Sequence, residues 1–212
     1  SMDPLAEKYY NMSPYAYCGN NPVNAIDLNG DTITYNHKEV QYTYVMDSNN
    51  TGFYDSNNYK MNSPFANVLT KALQDISSGK KGEKLVNYLS SSKINVRIIP
   101  TAKDNETSYN KGEIIVKWNP DDEYGAGLNE FNRQETPPFV TLAHELYHAE
   151  DYARFGCSNQ NMWYTSPNGV VKLSEYYTSI RENAIRKEHG LPLRRYYSIY
   201  DNGKPYPLSL IP

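Results

Sequence analysis

Cysteine is nearly absent from this 212-residue chain: Cys18 and Cys157 stand far apart and match no zinc-knuckle or redox spacing. A disulfide scaffold is excluded, and whether the two bridge or stay as free thiols is left open by the sequence. An excess of positive charge is also missing. Lys and Arg number 21 against 24 Asp and Glu, for a net charge of −3, so there is no basic stripe of the kind a phosphate backbone demands and nucleic acid is not an expected partner. No apolar run reaches the roughly 18 residues of a membrane span, and the N-terminus has neither a basic start nor an apolar stretch. Neither a span nor a targeting signal is expected in this fragment. Histidine is scarce as well, with four in the chain.

What the chain does have is tyrosine, 21 residues of it, expected as half-buried rings with wet hydroxyls. It also has a change of character near position 30. Residues 1–30 are dense in Pro, Asn, Gly and Asp and lack a helical period, which reads as a linker or docked tail. From Asp31, "TITYNH" and "VQYTYV" alternate around Lys38-Glu39 and predict a hairpin, although the turn is not of the favoured Asn-Gly kind. Ser63 and Pro64 open a helix with Phe65, Val68, Leu69, Ala72, Leu73 and Ile76 on one stripe. A shorter helix is expected over 83–91, after a break at Gly79 and Gly82. Two strands, "INVRIIP" and "EIIVKW", read as a hairpin joined by a polar loop. A long loop from Pro120 to Thr136 suits the flank of a cleft. Pro137 and Pro138 open the next helix, and a last helix runs from about Leu173 to Glu188 before Gly190 and Pro192. The predicted class is α+β, a small antiparallel or mixed sheet followed by helices.

Two of the four histidines lie in "TLAHELYHAE", residues 141–150. On a helix, Phe139, Leu142, Leu146, Ala149 and Ala153 gather in one arc, and His144 and His148 fall on roughly the opposite side. Spacing of i and i+4 stacks the two imidazoles at the separation needed to ligate one tetrahedral Zn²⁺. Glu145 sits beside them, placed to act on a water as general base without ligating the metal. A catalytic zinc needs a third protein ligand, and no third histidine follows at short spacing. On the last helix Leu173, Tyr177, Ile180 and Ala184 form the apolar stripe, with Glu175, Glu182 and Arg186 opposite. Either glutamate suits the role. Glu182 has an ion pair with Arg186 at i+4 as its other use, so Glu175 is the favoured ligand and Glu182 the alternative or supporting carboxylate.

These residues carry a resemblance. "HELYHA", followed by "EYYTSIRENAIRKEHGLPLR" and preceded by "IIVKWNP", resembles the NleD-like effector zinc metalloproteases over about residues 94–200. That resemblance implies a zincin-like fold, a Zn²⁺ cofactor and a protein substrate. The pairing of "HELYH" with "EYYT" is also similar to the light chains of clostridial neurotoxins, which implies Glu175 as third ligand. The same likeness implies that Arg194 and Tyr197, in "RRYY", stabilise the developing oxyanion. The first thirty residues resemble something else. "DPLAEKYY", "SPYAYC" and "NNPVNAID" look like the end of the repeat-associated core of Rhs/YD-repeat proteins. This implies a core remnant over 1–30 and a toxin or effector domain over 31–212, secreted or delivered from a bacterial cell as part of a longer polypeptide. The Rhs core and an immunity protein are then expected partners.

The expected function is that of a zinc endopeptidase in which His144, His148 and Glu175 hold the metal and Glu145 is the base. The alternatives are a binding or structural module stiffened by the metal, and a zinc amidohydrolase acting on a non-peptide substrate. Strand 112–118 is the preferred sheet edge for pairing with an extended substrate. The 120–136 loop and the 156–172 segment, with Trp163 and Tyr164, are expected to shape specificity.

Overall fold

The computed structural model of the protein describes residues 33–123, 127–158, 160–166 and 169–197. Residues 1–30, including Cys18, and the proposed boundary after them lie outside the described residues. The hairpin expected from Asp31 onward is present. Strand β1 (Ile33–His37) pairs antiparallel with β2 (Val40–Met46), and β2 with β3 (Thr51–Tyr54). Lys38 and Glu39 both adopt positive φ, +47° and +68°. Positive φ at both central residues is the type I′ conformation, one of the two-residue turns whose twist matches that of the strands.

The second expected hairpin is not formed. Strands β4 (Asn95–Pro100) and β6 (Glu113–Trp118) run parallel over their whole length, and the polar segment between them supplies β5 (Glu106–Asn110), antiparallel to β6. The order is β3-β2-β1-β4-β6-β5, a mixed sheet. The physical reason lies in burial. Val96, Ile98, Ile114, Val116 and Trp118 are all fully buried, so β4 and β6 are interior strands, whereas "ETSYN" is polar enough to be an edge. Strand 112–118 is therefore not a free edge; β5 is.

Among the described residues four helices accompany the sheet. Helix α1 (Pro64–Ser77) is capped as expected, the Ser63 hydroxyl accepting from the Ala66 amide at 3.2 Å. Val68, expected inward, is 46% exposed, and Ala66 is buried in its place. Helix α2 (Lys80–Ser90) begins three residues earlier than expected. Its first turn is capped from a distance, the Lys81 amide donating to both carboxylate oxygens of Glu188 at 3.0 and 2.9 Å. Helix α3 (Pro138–Phe155) begins at Pro138 with Pro137 as its cap. The buried Trp118 indole donates to the Pro138 carbonyl at 3.1 Å and ties the end of β6 to the start of α3. The 156–172 segment is more ordered than a plain loop, with a hairpin of β7 (Met162–Ser166) and β8 (Gly169–Lys172).

Helix α4 (Leu173–Glu188) has the predicted span, with Glu175 and Glu182 on the face toward the two histidines of α3. Tyr177 and Ile180 of the apolar stripe are 50% and 40% exposed, while Ser174, Thr178, Ser179, Glu182, Asn183 and Arg186 are buried. The polar face turns inward because α3 and the segment after α4 present charged and hydrogen-bonding partners to it. Among the described residues no helix is long and apolar enough to cross a membrane.

Gly82 is not a break but a close-approach residue inside α2: a Cβ there would lie 1.8 Å from the Ile76 carbonyl oxygen. Gly→Ala in a helix interior ordinarily stabilises by about 1 kcal/mol. Here Gly82→Ala is expected to destabilise by about 1–3 kcal/mol through overpacking, read from urea unfolding. A gain in stability would show that α1 and α2 can separate at no cost.

Candidate active site

The site is built on the middle of α3, a helix buried on both faces. Val140, Leu142, Ala143, Leu146 and Ala149 pack into the core, and His144, Glu145 and His148 are buried as well. The expected division of faces holds, but the histidine face is not a solvated one: α4 covers it. The two rings are arranged edge to face with centroids 5.0 Å apart. His144 Nε2 lies 3.2 Å and His148 Nε2 3.3 Å from Glu175 Oε2. Ligand atoms of His144, His148 and Glu175 all lie within 4.8 Å of one another.

The other nitrogen of each ring is also engaged. His144 Nδ1 is 2.9 Å from Glu182 Oε2, and His148 Nδ1 is 3.4 Å from the Thr178 hydroxyl. When the rings are neutral, Nδ1–H donating to these oxygens would leave each Nε2 lone pair facing Glu175. Two nitrogen lone pairs and a carboxylate oxygen facing one point are a donor set for a cation. The 3.2 and 3.3 Å separations are close to the ligand-to-ligand edge of a tetrahedral zinc site, about 3.3 Å for bonds of about 2.0–2.1 Å. The residues present thus fit a zinc ion.

Glu182 anchors the assembly. Besides His144 it accepts from Arg186 Nε at 2.7 Å and from Arg194 Nη1 at 2.9 Å, all of it buried. Arg194 is fixed further, its backbone exchanging two hydrogen bonds with the Asn183 side chain at 2.7 and 2.8 Å. Its second guanidinium nitrogen donates to the Tyr197 carbonyl at 2.9 Å. The Tyr197 hydroxyl donates to Glu175 Oε2 at 2.9 Å. Both members of the expected Arg and Tyr pair are therefore at the site, but Arg194 is turned to Glu182 and the chain, and Tyr197 to Glu175. The 120–136 loop contributes directly: Arg195 and Tyr196 amides donate to the Leu128 carbonyl, and the Glu130 amide to that of Leu193. It clamps the segment that carries Arg194 and Tyr197.

The electrostatics follow from this geometry. Burial alone would lower the His144 pKa, but hydrogen bonds and charge from Glu175 and Glu182 outweigh it and raise the pKa to about 9 in the chain by itself. The site pulls a positive charge onto the ring. Burial opposes ionisation of Glu182, yet Arg194, His144 and Arg186 hold it well below the usual carboxylate range. Glu175 is likewise held low against its burial, by the two histidines. Burial, with the Glu175 charge added, pushes the Tyr197 phenol well up and keeps its proton on.

Before these donors opens a cleft of about 740 Å³, lined on one side by β5 and on the other by β8 and the start of α4. On the cleft wall, the Thr107 hydroxyl of β5 contacts Glu145 twice, at 2.7 Å to Oε2 and 3.0 Å to the backbone carbonyl. A sequence-based reading of the motifs misses Thr107 and Thr178. Nothing local marks either residue, since their partners are 38 and 30 positions away. Trp163 packs edge to face on Tyr176 and Tyr197, at 4.9 and 5.8 Å, and so supports the site from behind; the side chain of Tyr164 lies outside the described residues. His189 is remote from the donors and packs on Phe139. Cys157 is exposed.

Comparison with known families decides the class. The sequence model of Peptidase_M91, described as an effector protein, matches residues 54–176. The chain belongs to this family. It is thus an effector peptidase, in keeping with the NleD-like resemblance of its motifs, and the class implies a protein substrate. The match covers α3 and reaches Glu175, but stops before Glu182 and Arg194. No curated protein and no solved structure matches the chain.

Removing the shared carboxylate takes the counter-charge from two buried guanidinium groups. Glu182→Ala is expected to cost about 3–5 kcal/mol, the range for breaking a buried ion pair from one side. Glu175→Ala, which strands no arginine, is expected to cost much less. Thermal unfolding of the two variants side by side checks the difference, and equal losses would contradict it.

Proposed function

We propose that the protein is a zinc-dependent endopeptidase with a zincin-like site, in which His144, His148 and Glu175 hold the metal. The observation that carries this reading is the convergence of those three donors within 4.8 Å beside Glu145. A zinc ion bound there would acidify a water and polarise the scissile carbonyl. The family match to a peptidase favours this over a purely structural metal or a non-peptide amide as substrate.

The chain's own groups do the rest. Glu145 takes the proton of the attacking water at a carboxylate oxygen and returns it to the departing amine nitrogen, so that the C–N bond breaks to an acid and an amine. Tyr197, protonated and lining the cleft, would turn its one hydroxyl proton from Glu175 to the carbonyl oxygen as that oxygen gains charge. Arg194 serves the same end indirectly, by holding Glu182 and the Tyr197 backbone. The outer edge of β5 offers an extended peptide a ladder of main-chain groups along the cleft. Tyr109, stacked on Tyr152 at 5.9 Å, stands at one end of that edge and Glu106 at the other. The turn-rich 1–30 segment, with its likeness to an Rhs core, supports delivery as part of a longer polypeptide. An immunity protein would then accompany it in the producing cell.

Metal analysis of purified wild type, Glu145→Gln and Glu175→Ala tests the assignment. Near-stoichiometric zinc is expected in the first two and a sharp fall in the third, with peptide cleavage by wild type alone. A wild type that holds no zinc when supplied with it, or a Glu145→Gln variant that still cleaves, would overturn the proposal.

A further inference from the structure

Thr107 has one hydroxyl proton and two acceptors on the same residue. Its Oγ1 lies 2.7 Å from Glu145 Oε2 and 3.0 Å from the Glu145 carbonyl oxygen. It is half-buried in β5, the edge strand, with its backbone opposite Val116 of the interior strand β6. The carbonyl of Glu145 is also the acceptor of the next helical turn. A side chain from a sheet edge thus reaches both the backbone and the carboxylate of one helix residue.

We infer that Thr107 is a positioning residue for Glu145, coupling the substrate-binding edge of the sheet to the group that moves the proton. This rests on the reading of Glu145 as general base. While Glu145 is a carboxylate, Thr107 donates to Oε2, fixes the rotamer and leaves Oε1 to receive the proton from water. Once Oε1 carries that proton, Oε2 is a weaker acceptor, and the Thr107 hydroxyl can turn its hydrogen to the Glu145 carbonyl without any heavy atom moving. No proton is gained or lost by Thr107 in this exchange. An extended peptide added to the outer edge of β5 would fix the same strand and, through Thr107, the base. Docking and base orientation become one event, the requirement for positioning catalytic groups to within a fraction of an ångström.

The test compares Thr107→Val, which keeps the branched shape and removes the hydroxyl, with Thr107→Ser, which keeps the hydroxyl. The substrate is a synthetic peptide chosen from those that wild type cleaves in a proteome-derived peptide library. Thr107→Val is expected to lower kcat by about 10–100-fold, as for other supporting hydrogen bonds, with KM, zinc content and Tm little changed. Thr107→Ser should recover most of the loss. Crystal structures of the two Thr107 variants give a reading that needs no substrate: the Glu145 carboxylate should be displaced in Thr107→Val and in place in Thr107→Ser. A Thr107→Val enzyme with wild-type kcat, or with Glu145 unmoved, overturns the inference and leaves the peptidase reading intact. Cleavage surviving in Glu145→Gln, or none by wild type in the library, would count against that reading itself.

Discussion

The site hangs on one buried carboxylate. Glu182 accepts from Arg186 one turn on, from Arg194 and from His144, so α3, α4 and the segment after α4 meet on its two oxygens. In isolation, burying such a charge would be prohibitive, and desolvation consumes much of what each pair returns. What the arrangement secures is position. Arg186 also donates to Thr136, at the entry to α3, and to the Pro192 carbonyl, and Arg194 is pinned by Asn183. The entry to the active helix, the second helix and the returning segment are therefore fixed relative to one another by directional bonds. Apolar packing, which tolerates sliding, would fix them less well.

That constraint explains the orientation of α4. A helix with Leu173, Tyr177, Ile180 and Ala184 on one side would be placed, by burial of apolar area alone, with that side inward. Turning Tyr177 and Ile180 to solvent forgoes roughly 1–2 kcal/mol each for these partly exposed side chains. The opposite orientation would forgo more: it would leave Glu182, Arg186 and Asn183 outside, and His144 buried with no oxygen on Nδ1. The polar network outweighs the apolar stripe, and the helix follows the network.

This is also where legibility in the sequence ends. Elements whose signals are local were readable: the Ser63-Pro64 cap, the Pro137-Pro138 start, the end of α4 at Gly190, the β1–β2 hairpin. The spacing in "HELYH" with a later glutamate was enough to name the donors that converge. Misreadings came where a local pattern admits two tertiary solutions. The strands "INVRIIP" and "EIIVKW" have the same alternation whether paired as a hairpin or in parallel. Only the third strand between them, polar and short, decides for the parallel form and moves the sheet edge to β5. The face of α4 and the role of Thr107 depend on partners tens of residues away, for which no periodicity exists.

The two kinds of information divide the work of the site. The motif on α3 supplies chemistry that any helix could display, two ring nitrogens and a carboxylate at fixed spacing. What makes the display selective is held elsewhere: Glu182 and Thr178 fix how the rings face, and Thr107 holds the carboxylate. Tyr197 is brought to Glu175 by a segment clamped between α4 and the 120–136 loop. These supports come from α4, from β5 and from the segment after α4, so loosening any one misaligns a group without removing it. On the proposed reading, a substrate that adds to β5 would engage the support lying on that sheet edge, and the edge strand would belong to the catalytic apparatus as well as to the docking surface.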